Sequence, residues 1–254
     1  MGNFLKNFRL ALSFLTRLPG GVHPTDQRDL GTSVPWFPVV GVLVGLISGI
    51  FFWILSLFMP PLVTSALTVG LSILLTGAFH EDGLADTFDS LGGFTIEKRL
   101  EIMKDSRIGT FGTLALLINV TVSIAALASL EAKEGFIAII SAHSLSRIAS
   151  IIVLTTVNPA KQDGLGSSYS LFSSRSKVII VTSFFLILSS GLGLFGLISS
   201  LAILLIAFYS KSLAISNFGG TTGDFLGAVQ QIASSTVFIT AAATFPNEIA
   251  LWLI

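Results

Sequence analysis

Long apolar stretches constrain the fold of this chain more than any other feature. Seven of them are about 20 residues long, the length that an α-helix needs to cross the hydrocarbon layer of a bilayer. They occupy residues 36–59, 61–79, 111–130, 136–157, 178–194, 197–216 and 225–245. Only 11% of the residues are charged, whereas soluble domains have roughly 25%. We therefore predict an all-α, polytopic transmembrane helical bundle with about seven spans, forming a single domain over residues 1–254.

The N-terminal segment and the basic residues indicate how the chain lies in the membrane. Residues 4–18 predict an amphipathic helix at the interface, retained in the mature protein because no small-residue cleavage site follows it. With the N-terminus in the cytoplasm, twelve of the fourteen lysines and arginines lie on the cytoplasmic side. The polar segments 80–110, 158–177 and 211–224 lie on the same side, where we expect the functional site.

Two further properties exclude classes of function. The chain has no cysteine, which excludes disulfides, thiolate zinc sites and a cysteine nucleophile. Its formal net charge is zero, which argues against nucleic acid as a main partner.

An acidic segment, HEDGLADTFDS at residues 80–90, directly follows the second apolar stretch. Asp82, Asp86 and Asp89 are spaced i, i+4, i+7, so a helix would place their carboxylates on one stripe, with Glu81 off it. Because like charges at this spacing repel, we expect a cation there, and oxygen ligands favour Mg²⁺ or Mn²⁺. These four residues are our candidate metal ligands and catalytic groups. The alternative is a solvated acidic face.

A second segment, RLEIMKDSRIGTFGTLAL at residues 99–116, combines charge with glycine. We predict a helix over EIMKDSR, followed by a span that opens at GTFG. A helix N-terminus with accessible amides favours phosphate, so Lys104, Asp105, Arg107 and Gly109 are candidate substrate-binding residues. The alternative is that basic residues beside a span only set its orientation.

Two other places supply candidate residues. The segment NFGGTTGDFLGAVQQI, at residues 217–232, has glycines, hydroxyls and a carboxylate at the start of the last span. Thr222 and Asp224 there are candidate substrate-binding groups, or alternatively helix caps. Arg147 lies four residues after His143 inside the fourth span, and we expect it to reach the same cavity because buried charges usually serve function. A packing role is equally open for His143.

Four motifs occur in the order FLTRLP, HEDGLADTFD, EIMKDSRIGTFG and GGTTGDFLGA, between about residues 12 and 231. Together they resemble the cobalamin synthase family, the adenosylcobinamide-GDP ribazoletransferases. The second and third motifs are specific as a pair. One departure is that the family pattern has a glutamate a few residues after TGDFLGA, where this chain has Gln230 and Gln231.

The resemblance implies a transferase that joins adenosylcobinamide-GDP to α-ribazole or its 5′-phosphate. The products would be adenosylcobalamin, or its 5′-phosphate, and GMP. Magnesium would be required, and the protein would be a multi-pass enzyme of the cytoplasmic membrane of a prokaryote, with its active site facing the cytoplasm. Asp82, Asp86 and Asp89 would hold metal at the pyrophosphate, and Asp89 or Glu81 would accept the hydroxyl proton.

The remaining candidate residues also receive roles from the resemblance. Lys104, Arg107 and Arg147 would face phosphate oxygens. Asp105 and Asp224 would complete the metal shell or orient the nucleotide.

Two alternative functions remain at this stage. A CDP-alcohol phosphotransferase acting on lipid also uses clustered aspartates, but its D-G-x-x-A-R pattern is absent from residues 82–86. An ion-coupled transporter would have its acidic residues near the bilayer midplane and in two matched halves of the chain.

Overall fold

The computed structural model describes residues 2–22, 27–160, 169 and 173–251, and this part of the chain is helical apart from its loops and turns. A short 3₁₀ turn, Val34–Trp36, joins the second and third helices. The helices are α1 (Gly2–Leu15), α2 (Gln27–Ser33), α3 (Phe37–Ser56), α4 (Pro61–Thr76), α5 (Phe79–Ser90), α6 (Ile96–Ile102), α7 (Thr110–Ala128), α8 (Ala132–Thr156), α9 (Arg175–Ser190), α10 (Gly193–Phe218) and α11 (Gly223–Leu251).

In the described residues, five helical segments are long and apolar enough to cross a membrane. They are Asp29–Ser56, Thr110–Ala128, Ala132–Thr156, Gly193–Phe218 and Gly223–Phe245. A sixth candidate is the pair of α4 and α5, which is bent by 91°. The predicted span at residues 178–194 corresponds to α9, a helix of 16 residues. The chain is therefore a multi-pass helical bundle, in agreement with the prediction of about seven spans.

The prediction that one long apolar run breaks near residue 192 is confirmed. α9 ends at Ser190 and α10 begins at Gly193, which has φ +68°. A β-carbon at Gly196 would collide with the Ser189 carbonyl oxygen. The glycines therefore allow the chain to reverse direction with the two helices in close contact.

The centre of the bundle is α8, which packs against α3, α9, α10 and α11. Its buried residues include several alanines and serines. α3 approaches α8 closely, since a β-carbon at Gly45 would lie 2.7 Å from the Ile140 Cα. Small residues stabilise membrane bundles in this way, because they let helix backbones come into van der Waals contact.

A sharp bend separates α4 from α5. Gly77 and Ala78 both have left-handed backbones, with φ of 67° and 57°, a conformation that costs a residue with a β-carbon about 1–2 kcal/mol. The backbone N–H of Arg17 donates to the Leu75 carbonyl at 2.8 Å and ties the end of α1 to this bend. The bend makes the acidic helix α5 nearly perpendicular to the span that precedes it.

The predicted N-terminal helix is present as α1. Ala11, Leu12 and Leu15 are buried against α3 and its neighbours, whereas Phe4 and Leu5 are exposed. This two-sided burial agrees with an amphipathic helix. Its position at the membrane interface stays a prediction.

Candidate active site

The site forms where α5 crosses α11, and glycine sets the distance between the two helices. A β-carbon at Gly83 would lie 2.7 Å from the Asp224 carbonyl oxygen and 3.0 Å from its Cα. One turn further along α11, a β-carbon at Gly227 would lie 3.4 Å from the α5 backbone at His80 and Gly83. This crossing places Asp224, at the start of α11, directly beside Asp82 on α5.

Three of the predicted carboxylates are without a partner at this crossing. Asp82, Asp86 and Asp224 form no ion pair or side-chain hydrogen bond with any other described residue. Asp82 is exposed, whereas Asp86 and Asp224 are half-buried. Partly buried like charges without a counter-ion repel one another, so the arrangement favours a bound cation.

These carboxylates are suitable ligands for Mg²⁺, because they offer only oxygen atoms and Mg²⁺ prefers oxygen ligands. Among the described residues, no group of three or more His, Cys, Asp or Glu is arranged to hold a metal ion. Mg²⁺ commonly keeps several waters and binds through one or two carboxylates together with substrate phosphates. A shared site completed by a phosphate group is therefore compatible with these residues.

Asp89 lies on the predicted stripe but contacts the next span. Its Oδ2 accepts a hydrogen bond from the Gly109 N–H at 2.6 Å, and its Oδ1 accepts one from the Gly112 N–H at 2.8 Å. Asp89 therefore caps the N-terminus of α7, where Gly109 has no side chain to do so. The amides that were predicted to bind phosphate are bound here by a carboxylate of the protein.

Replacing Asp89 by alanine is expected to destabilise the protein. The substitution removes two charge-assisted hydrogen bonds and leaves two helix-terminal N–H groups unsatisfied, so the free energy of unfolding should fall by about 2–4 kcal/mol. Thermal unfolding in detergent measures the loss, and Asp89→Asn should recover part of it. If the alanine variant were as stable as the wild type, the capping role would be wrong.

The segment that follows α6 differs from its prediction. The helix ends at Ile102, and residues 103–107 form a turn because the Arg107 N–H donates to Asp105 Oδ1 at 3.1 Å. The Arg107 side chain also forms an ion pair with Asp105 at 2.6 Å. Through these hydrogen bonds, Arg107 lowers the pKa of the exposed Asp105 carboxyl to about 2. Lys104 is exposed as well.

Contacts at both ends hold this charged turn along the edge of the acidic site. At one end, Met103 Sδ lies 3.7 Å from Thr222 Oγ1, which also accepts a hydrogen bond from the Phe225 N–H at 3.1 Å and caps α11. At the other end, the Gly109 N–H binds Asp89. The structure therefore brings Lys104, Asp105, Arg107, Gly109 and Thr222 to the rim of the α5–α11 crossing.

Glu81, off the stripe, lies in the bundle interior instead. Its Oε1 accepts a hydrogen bond from Gln231 Nε2 at 2.9 Å, and its Oε2 has no partner among the described residues. Gln231 is one of the two glutamines in the region where the family pattern leads us to expect a glutamate. The carboxylate at this contact comes from α5 rather than α11. The surrounding cavity is also lined by His80 and His143, and has about 40 Å³ open to the centres of water molecules, enough for bound water.

Arg147 is buried at 1% exposure beside this interior cavity. Its guanidinium donates to the His143 carbonyl oxygen, while Nε and one terminal nitrogen lack partners among the described residues. His143 Nε2 lies 3.1 Å from the Ser72 hydroxyl. This hydrogen bond agrees with a packing role for the histidine. The Arg147 guanidinium and the Glu81 carboxylate in this interior form no direct ion pair. Because buried charges need polar partners, bound water between the two groups would supply them.

The Glu81–Gln231 hydrogen bond is expected to stabilise the contact between α5 and α11. Gln231→Leu should lower the free energy of unfolding in detergent, and a double-mutant cycle with Glu81→Leu should give a coupling of about 1 kcal/mol. Gln230→Leu is the matched control, because this neighbouring amide makes no hydrogen bond to Glu81. A coupling near zero would mean that the two side chains do not interact.

Arg17 is a site residue that the spacing arguments did not select, although it belongs to the FLTRLP motif. It lines a cavity of about 380 Å³ together with Asp82, Phe14 and Phe79. Its guanidinium packs over Gly77, the left-handed residue in the bend between α4 and α5. The cavity is therefore lined by a cation and a carboxylate from segments far apart in sequence.

Comparison with known proteins agrees with these features. The sequence model of the cobalamin-5-phosphate synthase family matches residues 7–243. The adenosylcobinamide-GDP ribazoletransferase of Bradyrhizobium diazoefficiens is 39% identical over 251 residues, 95% of each chain. Proteins of the same name from Shewanella baltica and Shewanella amazonensis are 38% and 37% identical, over 89% and 92% of this chain and 89% and 94% of their own. No solved structure is significantly similar. Because the match extends over nearly the whole sequence, the chain belongs to the cobalamin-5-phosphate synthase family.

Proposed function

We propose that this protein is a magnesium-dependent adenosylcobinamide-GDP ribazoletransferase. It joins adenosylcobinamide-GDP to α-ribazole, or to α-ribazole 5′-phosphate, and releases GMP. The relatives with this name support the proposal. The observation that carries it is the crossing of α5 and α11, where Asp82, Asp86 and Asp224 lie together without a counter-ion.

The reaction is a substitution at one phosphorus of the donor's pyrophosphate. A hydroxyl oxygen of the acceptor forms a new P–O bond to the phosphorus on the corrinoid arm. The P–O bond to the GMP phosphate breaks, GMP leaves with the bonding electrons, and the hydroxyl proton is lost to a base. Such a reaction needs mainly positioning and charge neutralisation from the protein.

The residues of the site suit that task. Asp82, Asp86 and Asp224 would hold Mg²⁺, which when bound would neutralise charge on the pyrophosphate oxygens. Of these, the exposed Asp82 is the most accessible to the acceptor's hydroxyl proton. Lys104 and Arg107, exposed at the rim, would contact the phosphate groups of the nucleotide.

Asp89, Glu81 and Arg147 have structural contacts that suggest supporting roles in this proposal. Asp89 holds the start of α7 against α5, and so fixes the rim. Glu81 and Arg147 lie in the interior and set the charge behind the acidic face. We also propose that the protein resides in the cytoplasmic membrane of a prokaryote with this site facing the cytoplasm, because the basic residues are concentrated on that side.

A product assay tests the proposal. The purified protein in detergent is incubated with Mg²⁺, adenosylcobinamide-GDP and α-ribazole, and GMP and the joined corrinoid are quantified by chromatography. We expect equal amounts of the two products, and no product without either substrate or with excess chelator. The protein would instead be a lipid phosphotransferase if it releases no GMP under any of these conditions but releases CMP when it is given a CDP-alcohol and lipid.

A further inference from the structure

An aromatic cavity lies next to the acidic site. Four rings from four parts of the chain line it: Phe14 of α1, Phe37 of α3, Phe79 of α5 and Tyr169. Phe14 is central, with ring centroids 5.8 Å from Phe37, 5.2 Å from Phe79 and 4.5 Å from Tyr169. The cavity has about 200 Å³ of space. Rings arranged in this way offer faces and edges to a flat apolar group.

The cavity also has a polar end. His80 and Gln230 line it, with exposures of 3% and 5%. His80 Nδ1 is buried without a hydrogen-bond partner among the described residues. Buried polar groups in proteins are nearly always paired, so this unpaired nitrogen indicates a ligand with a polar atom.

The position of the cavity relates it to the chemistry. Phe79 and Asp82 are three residues apart on α5 and therefore share a face. Gly223 and Gly227, on either side of Asp224, form part of the cavity wall. Phe14 and Phe79 separate the aromatic cavity from the pocket that contains Arg17 and Asp82. A group bound among the rings would therefore lie within reach of the carboxylates.

We propose that this cavity binds the heteroaromatic base of the acceptor nucleoside, with its sugar directed toward Arg17 and Asp82. This inference rests on the proposed function, since the acceptor there is α-ribazole. Its benzimidazole base is flat and largely apolar, which suits the four rings. One of its ring nitrogens is not bonded to the sugar and accepts a hydrogen bond, which the Gln230 amide supplies.

The sugar end of the acceptor has a matching environment. The pocket beyond Phe14 and Phe79 has the Arg17 guanidinium and the Asp82 carboxylate on its walls. A 5′-phosphate on the acceptor would bind Arg17, and a sugar hydroxyl would donate to Asp82. Base recognition in the aromatic cavity therefore orients the nucleoside for the reaction.

Direct binding of α-ribazole, measured by equilibrium dialysis on the purified protein, tests this inference without turnover. We expect Phe14→Ala to weaken α-ribazole binding by about 10-fold to 100-fold, because it removes the central stacking surface. Phe14→Leu, which keeps apolar volume but has no ring, guards against a folding defect and should show a similar loss. Phe208→Ala is the matched control, since this ring is exposed at 68% and should leave binding unchanged.

The kinetic consequence separates this inference from the proposed function. In the GMP-release assay, Phe14→Leu should raise the KM for α-ribazole by the same factor and leave the KM for adenosylcobinamide-GDP unchanged. If the wild type releases GMP while both Phe14 variants bind α-ribazole as tightly as it does, the cavity assignment is overturned and the function stands. If α-ribazole binds with the expected loss but no GMP is released, the function fails and the cavity assignment stands. If added phospholipid displaces α-ribazole and the Phe14 substitutions do not change α-ribazole binding, the cavity binds a lipid tail and the inference is overturned.

Discussion

Asp82→Asn is expected to reduce the rate of GMP release by about 10³-fold or more. The substitution keeps the shape of the side chain but removes the exposed negative charge at the α5–α11 crossing. It breaks no ion pair, because Asp82 forms none with the described residues. Removing the charge that holds a catalytic cation costs several kcal/mol of transition-state stabilisation, and each 1.36 kcal/mol is tenfold in rate. Steady-state kinetics with saturating substrates measures the effect.

Glu101→Gln is the matched control for this change. It also converts a carboxylate to an amide near the site, but Glu101 is exposed at 69% of its side chain and forms only a surface ion pair with Lys98. Such pairs contribute little, so the rate should stay within about twofold of the wild type. A rate for Asp82→Asn equal to that of this control would remove Asp82 from the mechanism.

Gly83→Ala is expected to reduce the rate by about 100-fold although it changes no polar group. The new β-carbon would lie 2.7 Å from the Asp224 carbonyl oxygen and 3.0 Å from its Cα. Because these are backbone atoms, the helices themselves must separate. A displacement of about 1 Å in a catalytic site can cost 10²-fold, and overpacking should also lower stability by about 1–3 kcal/mol.

Gly70→Ala provides the comparison for Gly83. It is the same substitution in helix α4, where nothing lies within 4 Å of the new β-carbon. Alanine is favoured over glycine in a helix interior by about 0.5–1 kcal/mol, so this variant should be active and slightly more stable. Wild-type activity and stability in Gly83→Ala would show that α5 and α11 do not pack as closely as described.

The apolar pattern was sufficient to predict the membrane-spanning helices, because length and hydropathy are local properties. The spacing of the acidic residues between 80 and 90 was compatible with a helix, and α5 is that helix. The 91° bend before it did not follow from local spacing, since it depends on two successive left-handed residues, Gly77 and Ala78, and on a hydrogen bond from Arg17. Such long-range contacts have no periodic pattern in the sequence.

The acidic stripe shows the same difference at the level of single residues. Spacing alone treated Asp82, Asp86 and Asp89 as equivalent. Their surroundings are different, because α11 supplies Asp224 beside Asp82, whereas α7 supplies two backbone N–H donors to Asp89. The sequence does contain a clue to the second contact: two glycines three residues apart, at 109 and 112, leave room for a carboxylate from another helix.

The interior position of Glu81 could also not be predicted from spacing. Its place a quarter turn off the stripe left its role open, and the partner that decides it, Gln231, is 150 residues away in the chain. The departure from the family pattern at Gln230 and Gln231 was visible in the sequence. Its explanation needed the structure, which pairs the Gln231 amide with a carboxylate on α5.

Binding of Mn²⁺, followed by electron paramagnetic resonance on the purified protein with adenosylcobinamide-GDP present, tests most directly whether the α5–α11 crossing is a metal site. We expect the wild type to bind Mn²⁺ more tightly with the donor than without it, because the donor's phosphates complete the site. The double variant Asp82→Asn/Asp224→Asn should lose affinity by about tenfold or more, while Glu101→Gln should bind like the wild type. Equal Mn²⁺ affinity in the wild type and the double variant would contradict the assignment of the metal to this crossing.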